Sequence, residues 1–460
     1  MRGHRTLGFA VGVTAAAALF VFMVVLLGPV NTLLALLFLI AAIVLLRFPI
    51  IGIYALVVLL PFNGLISQVT DGTAIPGLYG AAKDFLLLGI LLVALISGRV
   101  RRVPATVVAI VVLIVTLALV SGIFTPTILQ ASYGWRNDYE PLLLLIAVPA
   151  IVDLTSVRRI LGLVIVMAQV SAAIAVASWS RGLEWLFDIG RLPVANQDDF
   201  PTSLFSSGSL RPRAFSPYVA PNEMAVVMAA LLAVVWLIPR LRGWQRVLLS
   251  VLPVAAIVLS ESRSGILGAI VVACVLAARA LHKRSAVLAG AFLLMAVVGV
   301  VFGAVLYIIN KLGDGGDPSI GGHSLSLEAG ISTLVQNPFG LGLGRVGPRA
   351  AQFDDSYHVE SFWLLIGLES GIVVMVLYVA LMAYLVTKAV RSVSDLSFMA
   401  AAVLSASLVS QLVLPAFQEG AVSFTVWLLV GLALVSMRAE SEGKAKAVPE
   451  GAPSLVRLAR

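Results

Sequence analysis

The stretch Pro104–Phe124 reads PATVVAIVVLIVTLALVSGIF and carries no charged side chain. A helix of this length rises about 1.5 Å per residue and matches a hydrocarbon core about 30 Å thick. Similar stretches recur through the 460 residues, of which 60% are hydrophobic and 12% charged. Because soluble domains carry about 25% charged residues, this composition excludes a soluble enzyme, a disordered protein and a nucleic-acid-binding domain. The sequence predicts an all-α, polytopic integral membrane protein.

Apolar runs of this kind predict about 14 transmembrane helices, within a range of about 12 to 14. The runs that begin at Pro49, Pro141 and Val247 are the shortest. The predicted spans are Leu7–Leu27, Val30–Leu46, Pro49–Pro61, Ala81–Ser97, Pro104–Phe124, Pro141–Val152, Ile160–Ala177, Met224–Pro239, Val247–Leu259, Gly265–Ala280, Ala286–Ile309, Phe362–Val386, Ser397–Leu414 and Val422–Ser436.

Basic residues divide unequally between the two sides of the predicted membrane. Alternate threading of these spans places 21 of the 31 Lys and Arg on the side of the N-terminus, together with five acidic residues. Lys and Arg that flank transmembrane helices are retained in the cytoplasm. We therefore expect both termini inside, and the net charge of +8 requires no nucleic-acid partner. The single Cys274 excludes a disulfide framework.

The predicted spans leave two long outward loops, at about residues 178–222 and 310–360. We expect residues 1–437 to form a single polytopic membrane domain, in which the run after the basic start MRGHR is a retained first span. The second loop contains a short helix between Leu325 and Val335, expected at the membrane surface. The segment 438–460 is charged and rich in Pro, Gly and Ala, which predicts a disordered cytoplasmic tail.

Cationic side chains on the outward side are the first candidates for function, because the positive-inside pattern does not explain them. Arg guanidinium groups match phosphate oxygens bidentately and stay charged on burial. Pairing with outward acids is the alternative, and for Arg263, in the turn Leu259–Gly265 (LSESRSG), that acid would be Glu261. The candidates here include Arg136, Arg211, Arg213, Arg263 and Arg345.

A proline-rich segment, Arg211–Glu223 (RPRAFSPYVAPNE), leads directly into a predicted span. Prolines restrict the backbone to extended conformations, so we expect Arg213 to be held at the mouth of the helix bundle. Asn222 is a favourable helix N-cap, and Glu223 suits the first helical turn. Capping therefore accounts for these two residues more simply than catalysis does.

The third polar segment runs from Asn337–Arg345 (NPFGLGLGR) to Glu360 at the start of the span after it. Its glycines lack the strand and helix context of a dinucleotide site, and predict close approach of the backbone to a ligand or a neighbouring helix. Glu360 is a candidate general base. Ordinary compensation of the helix dipole is its alternative role. The four histidines are too scattered for a metal site, and the pair Asp354–Asp355 keeps a metal alternative open.

Together these segments resemble the O-antigen ligase and O-antigen polymerase family of bacterial surface-polysaccharide enzymes. The resemblance covers roughly residues 211–372: Arg211–Asn222 before a span, the turn Ser262–Gly265 after one, the run Asn337–Gly342, and Leu368–Gly371 (LESG). Ligases of this family have a His, then Asn, Ser or Gln, then nine residues and Gly. Counting back from Gly371 puts Glu360 in the place of that His, and His358 misses the register by two.

The resemblance implies a GT-C-like glycosyltransferase, inverting and metal-independent, that needs no cofactor. Its substrate would be an undecaprenyl-pyrophosphate-linked oligosaccharide on the outer face of the bacterial inner membrane. Arg213 and Arg263 would bind the pyrophosphate and Glu360 would accept the proton of the attacking hydroxyl. Arg211, Arg345, His358 and Arg136 are further candidates for substrate binding. Membrane lipids surround the protein, and chain-length regulators and flippases are the expected protein partners.

Three functions remain open from the sequence. Glu360 in place of the histidine favours a polysaccharide polymerase over an O-antigen-type ligase, which uses the same chemistry on another acceptor. A secondary transporter would also have about 14 spans, but it requires broken or polar helices at the membrane midplane. Here the charged residues gather at the outer ends of the predicted spans, with Lys83 and Asp84 as the main exception.

Overall fold

The computed structural model describes residues 36–70, 73, 75–189, 204–205, 211–239, 241–282, 318–392 and 394–447. Over these ranges the protein is helical, and the only β-pairing is two isolated bridges, Phe205 with Pro212 and Val346 with Tyr357. The prediction of an all-α fold is confirmed for this part of the chain. The GT-C-like arrangement and the total number of spans stay predictions.

The described helices follow the apolar runs of the sequence closely. They are α1 (Leu36–Arg47), α2 (Pro49–Leu59), α3 (Asn63–Val69), α4 (Ile75–Ile96), α5 (Ala105–Ser121), α6 (Ile128–Asp138), α7 (Leu144–Ile151), α8 (Leu154–Arg181), α9 (Leu183–Asp188), α10 (Pro221–Leu237), α11 (Gly243–Leu259), α12 (Arg263–His282), α13 (Pro318–Gln336), α14 (Phe362–Ser370), α15 (Ile372–Val390), α16 (Asp395–Ser410) and α17 (Gly420–Ala447).

Among the described residues, 7 helices are long and apolar enough to cross a membrane, and 5 further apolar helices are shorter. Each of them overlaps a predicted span. The run that begins at Pro49 is longer than predicted, because a 3-10 turn joins α2 to α3 and the helical segment continues to Val69. The predicted spans Leu7–Leu27 and Ala286–Ile309 lie outside the described residues.

The interior of the bundle is built around α17 and α10. In α17, 89% of the most apolar stretch of 18 residues is buried, and almost every residue of α10 is buried as well. Helix α10 packs against α11, α12, α16 and α17. An aromatic cluster fills the space beside α17, where the ring of Phe362 lies 5.2 Å from that of Phe417 and Trp427 lies 5.8 Å from Phe417. These two helices therefore contact protein over most of their surface.

The polar segments singled out by the sequence meet at one end of this bundle. Arg213, in the segment before α10, contacts the end of α11 at Ser260. The end of α16 contacts both the start of α12, at Ser264, and the start of α14, at Phe362. At the other end, Arg438 of α17 donates to the carbonyl oxygen of Pro149. This grouping of helix ends agrees with the alternate threading of the predicted spans.

The predicted span Phe362–Val386 is not one helix. It breaks at Gly371, whose φ of +89° favours glycine, and α15 begins at the next residue. The loop before Arg345 fills the break: Leu341 N–H donates to the carbonyl oxygen of Leu368 at 2.6 Å and Ile372 N–H to that of Pro338 at 3.0 Å. The backbone groups freed by the break are thus satisfied by protein, not by a solvent-lined cavity of the kind a transporter uses.

The tail expected to be disordered from residue 438 is helical as far as Ala447. Side-chain contacts explain the difference, because Glu440 accepts hydrogen bonds from Ser392 at 2.7 Å and from Ser397 at 2.8 Å. These contacts hold Glu440 of α17 beside α16. Residues 448–460 lie outside the described ranges.

Candidate functional site

Arg213 is held rigidly at the mouth of the bundle, as the prolines around it predict. Its Nε donates to the carbonyl oxygen of Ser260 at 2.6 Å and its Nη2 to Oδ1 of Asn222 at 3.0 Å. The backbone is fixed too, because Ala214 N–H donates to the carbonyl oxygen of Leu259 at 3.0 Å. Two helix ends, those of α11 and α10, therefore set the orientation of one guanidinium group.

Asn222 does not cap α10 as expected. The helix begins two residues earlier than that cap would place it, with Pro221 at its first position and Ala220 as the N-cap residue. Proline suits this position because its missing N–H would have no helical partner there. The side chain of Asn222 is thereby released to accept the hydrogen bond from Arg213.

Arg263 is the first residue of α12 and its side chain is exposed. Ser262 caps this helix, since its Oγ accepts a hydrogen bond from Gly265 N–H at 3.2 Å. Glu261 has a φ of +50°, an uncommon backbone conformation for a residue other than glycine. A Cβ at Gly265 would lie 2.2 Å from Cβ of Ala225, so α12 and α10 touch directly beside the arginine. The turn that presents Arg263 is therefore tightly built.

The two arginines lie within electrostatic reach of each other. Burial lowers the pKa of the Arg213 guanidinium; the charge of Glu261 opposes this shift and the charge of Arg263 adds to it. Two neighbouring cations and one acid leave an excess of positive charge at this point, which favours an anion. Arg213 thus shares one charge cluster with Glu261 and Arg263, and binding of a phosphate group there stays a prediction.

The end of α16 connects this cluster to the segment of Glu360. Ser410 Oγ donates to the carbonyl oxygen of Ser264 at 3.1 Å. The next carbonyl oxygen, that of Gln411, accepts from Phe362 N–H at 3.0 Å and from Ser361 Oγ at 3.4 Å. Two consecutive residues thus hold the start of α12 and the segment before α14 side by side.

Glu360 and His358 form a close pair. Nε2 of His358 lies 3.9 Å from Oε1 of Glu360, and their side chains are 65% and 33% exposed. Between them, Val359 is fully buried, which anchors the segment while both polar side chains remain accessible. Helix α14 begins at Phe362 with Ser361 as its N-cap residue, so Glu360 precedes the helix itself.

Arg345 lies at the end of the glycine-rich loop. Its Nη1 donates to the carbonyl oxygen of Leu341 at 3.1 Å, and its own carbonyl oxygen accepts from Tyr357 N–H at 2.7 Å. The glycines serve close backbone packing: a Cβ at Gly344, whose φ is +70°, would lie 2.2 Å from the carbonyl oxygen of Gln130 in α6. The predicted approach to a neighbouring helix is confirmed at this glycine.

The remaining two candidates contact protein groups outside this cluster. The guanidinium carbon of Arg211 lies 3.8 Å from the ring centroid of Trp179 at the end of α8, which is a cation–π contact. Nε of Arg136 lies 2.5 Å from Oδ2 of Asp84 in an ion pair. Substrate binding by Arg211 and Arg136 stays a prediction, and each side chain has a structural partner.

Sequence reasoning missed an ion pair beside the site. Arg349 donates to Glu419 through Nε at 2.8 Å and also through Nη2. The Glu419 carboxylate raises the pKa of Arg349 above its ordinary value, against the opposing effect of burial. The buried Lys83 lies within electrostatic reach of Arg349 and of Asp84. The sequence signal was the surplus of outward cations, but no local pattern pairs residues 70 positions apart.

No group of three or more His, Cys, Asp or Glu in the described ranges is arranged to hold a metal ion. Asp354 and Asp355, the acidic pair that kept this alternative open, are both exposed. The described site instead offers guanidinium groups, the carboxylates of Glu261 and Glu360, and the imidazole of His358.

The fold and the site define a multi-pass membrane protein whose charged and polar segments meet at one end of its helices. Residues 248–379 match the model of the family described as O-antigen ligase. This match confirms the family resemblance predicted from the sequence. It contains Arg263, Arg345, His358 and Glu360, whereas Arg213 precedes it. A search of the curated proteins finds no match. The family indicates a membrane glycosyltransferase-type enzyme that acts on a lipid-linked glycan.

Proposed function

We propose that this protein transfers a glycan from undecaprenyl pyrophosphate to a sugar hydroxyl on the outer face of the bacterial inner membrane, as a surface-polysaccharide polymerase. In this reaction the hydroxyl oxygen attacks the anomeric carbon of the lipid-linked glycan with inversion. The bond from that carbon to the pyrophosphate oxygen breaks, undecaprenyl pyrophosphate leaves with the bonding electrons, and the hydroxyl proton goes to a base.

The observation that carries this proposal is the juxtaposition of Arg213 and Arg263. A pyrophosphate leaving group gains negative charge as its bond to carbon breaks, and preorganised donors aimed at that charge stabilise the transition state. Arg213 is preorganised by Ser260 and Asn222, which fix its guanidinium plane before any substrate arrives. Arg263 is presented from the tight turn at the start of α12, where the helix N-terminus also favours an anion.

Glu360 is the proposed base. A sugar hydroxyl is a weak nucleophile until a positioned group accepts its proton, a contribution of about 10² to 10⁴ in rate. The carboxylate is partly exposed and belongs to a segment anchored by Val359 and Ser361, so it is both accessible and held in place. His358, at 3.9 Å, would orient the carboxylate or contact substrate. Arginines would neutralise the pyrophosphate, so the proposed reaction is metal-independent.

The O-antigen-type ligase is the second candidate, and the family match together with the nearness of His358 to Glu360 favours it. The two functions share the donor and the bond broken, and differ only in the acceptor. A polymerase passes the growing glycan to the sugar of another lipid-linked unit. A ligase passes it to a different surface acceptor.

A reconstituted assay tests the proposal. The purified full-length protein in liposomes receives undecaprenyl-pyrophosphate-linked glycan extracted from its own host, in the presence of EDTA. Release of undecaprenyl pyrophosphate, followed by mass spectrometry, is the expected result. A ladder of longer glycans still on the lipid would identify a polymerase, and release that depends on an added second acceptor would identify a ligase. No release from either acceptor would contradict the proposed function.

A further inference from the structure

Glu369 is fully buried in the last turn of α14, and its side chain reaches the glycine-rich loop. Its Oε1 accepts hydrogen bonds from the backbone N–H groups of Gly344 at 2.8 Å and Val346 at 3.3 Å. These two residues flank Arg345, so one carboxyl oxygen holds the loop on both sides of that arginine.

The other side of Glu369 faces a second buried acid. Asp138, at the end of α6, is 2% exposed, and its carboxyl group lies within electrostatic reach of that of Glu369. The approach of these two side chains brings the end of α6 close to the last turn of α14.

The loop held by Glu369 in turn holds the segment of the proposed base. Tyr357 N–H donates to the carbonyl oxygen of Arg345 at 2.7 Å, and Gly347 N–H donates to that of Tyr357 at 2.8 Å. The residue after Tyr357 is His358, and Glu360 follows two positions later. Hydrogen bonds therefore connect the Glu369 carboxyl group, through the loop, to Tyr357, and the backbone continues from there to His358 and Glu360.

Gln418 supports the same loop from its opposite side. Its Nε2 donates to the carbonyl oxygen of Val346 at 3.1 Å, and its Oε1 accepts from Arg349 N–H at 2.9 Å. The loop is thus held between two buried side chains. Only Glu369 contacts the backbone N–H groups on either side of Arg345.

We propose that Glu369 is the positioning residue that sets the places of Arg345, His358 and Glu360 for the transfer reaction. This inference rests on the proposed function, in which those three side chains act on the substrate. Glu369 is buried away from solvent and touches the site only through backbone groups. Its effect is therefore on the geometry of catalysis, where a displacement of about 1 Å can cost about 10² in rate.

The alternative is that Glu369 serves stability alone, and Ser370 provides the matched control. Ser370 is the next residue of α14 and is buried as well, and its Oγ accepts hydrogen bonds from Tyr139 at 2.7 Å and from Ser121 at 3.0 Å. Ser370→Ala therefore removes buried hydrogen bonds from the same turn without touching the loop. Glu369→Gln retains an acceptor for the backbone N–H groups of the loop, whereas Glu369→Leu does not.

The experiment measures the loop directly and independently of glycan transfer. Val359→Cys, in a Cys274→Ala background, places a thiol at a fully buried position between His358 and Glu360. Maleimide labelling of this thiol is expected to be about tenfold faster with Glu369→Leu and unchanged with Ser370→Ala or Glu369→Gln. Transfer should fall about 10²-fold in kcat with Glu369→Leu, and Glu369→Gln should restore most of it.

Two results would overturn the inference. One is labelling of the Glu369→Leu protein at the parental rate, and the other is equal acceleration by Ser370→Ala. If Glu369→Leu does not fold, Glu369→Asp replaces it, because the shorter side chain withdraws the carboxyl group from the loop while keeping the group itself. If the parental protein transfers no glycan, the proposed function fails, and the labelling rates still decide whether Glu369 positions the segment.

Discussion

The Oγ of Ser410 donates a hydrogen bond to the carbonyl oxygen of Ser264 at 3.1 Å, at the point where α16 ends and α12 begins. Through this contact, and through the carbonyl oxygen of Gln411 beside it, one helix end arranges two segments that are about 100 residues apart in the chain. The arginine turn and the Glu360 segment therefore share one structural support.

Substitution at Ser410 should separate stability from alignment. Ser410→Ala removes one buried hydrogen bond, so we expect a loss of about 1 kcal/mol in stability and little change in transfer. Ser410→Leu should lower transfer much more, because its larger side chain would push against α12, where a Cβ at Gly268 would lie only 3.1 Å from Ser410 Oγ. Thermal unfolding in detergent and initial transfer rates measure the two effects. Equal activity of both variants would show that the position of α12 is unimportant.

Arginine geometry at positions 213 and 263 should matter beyond charge. A lysine at 213 cannot reproduce donation to Ser260 and Asn222 from one plane, and a lysine at 263 loses bidentate contact with phosphate. We expect Arg213→Lys and Arg263→Lys each to lose most transfer while still inserting in the membrane. Arg158→Lys, at an exposed site near the start of α8, is the matched control. Near-normal polymer from both site variants would reduce the two arginines to structural ion pairs.

Substitutions at two glycines should have opposite effects, because Gly265 lies at the contact between α10 and α12 whereas Gly162 of α8 faces open space. Gly265→Val should destabilise the protein by several kcal/mol, because a Cβ there overlaps Ala225. In contrast, Gly162 of α8 has nothing within 4 Å of its Cβ position, so Gly162→Ala should stabilise that helix by about 0.5 to 1 kcal/mol. Midpoints of thermal unfolding compare them. An unchanged unfolding midpoint for Gly265→Val would mean that α10 and α12 are not in contact at Gly265.

Labelling from one side tests the orientation. In a Cys274→Ala background, Ser356→Cys should react with an impermeant maleimide in intact spheroplasts, since its loop belongs to the outward segments. Ser441→Cys, exposed near the end of α17, should react only after lysis. Both positions are exposed, so access is limited by the membrane alone. The reverse pattern would invert the topology and remove the proposed active site from the outer face.

The length of the apolar runs was sufficient to predict the apolar helices, because a bilayer imposes the same requirement on every span. The same reasoning could not find the break at Gly371, since most residues on both sides of it are apolar and the loop that fills it comes from residues 338–342. The first residue of α10 is Pro221, two positions before the start expected with Asn222 as the N-cap residue.

Candidate site residues were predictable where one residue had no plain structural reason to be there, as with Arg213 and Arg263. Their supports were not predictable. The hydrogen bond from Arg213 to Ser260 spans 47 positions and that from Val346 to Glu369 spans 23, and neither leaves a local pattern. Such contacts arise only when the helices are packed, so Glu369, Arg349 and Glu419 appear in the site only through the structure.

The direct test of the proposed chemistry compares Glu360→Gln with His358→Ala in the reconstituted assay. Glutamine keeps the size of Glu360 but cannot accept the proton, so Glu360→Gln should abolish release of undecaprenyl pyrophosphate while lipid-linked glycan still binds. His358→Ala should only weaken release, because the imidazole lies beside the carboxylate and does not replace it. The opposite result, in which His358→Ala abolishes release and Glu360→Gln retains it, would contradict this account and identify His358 as the base.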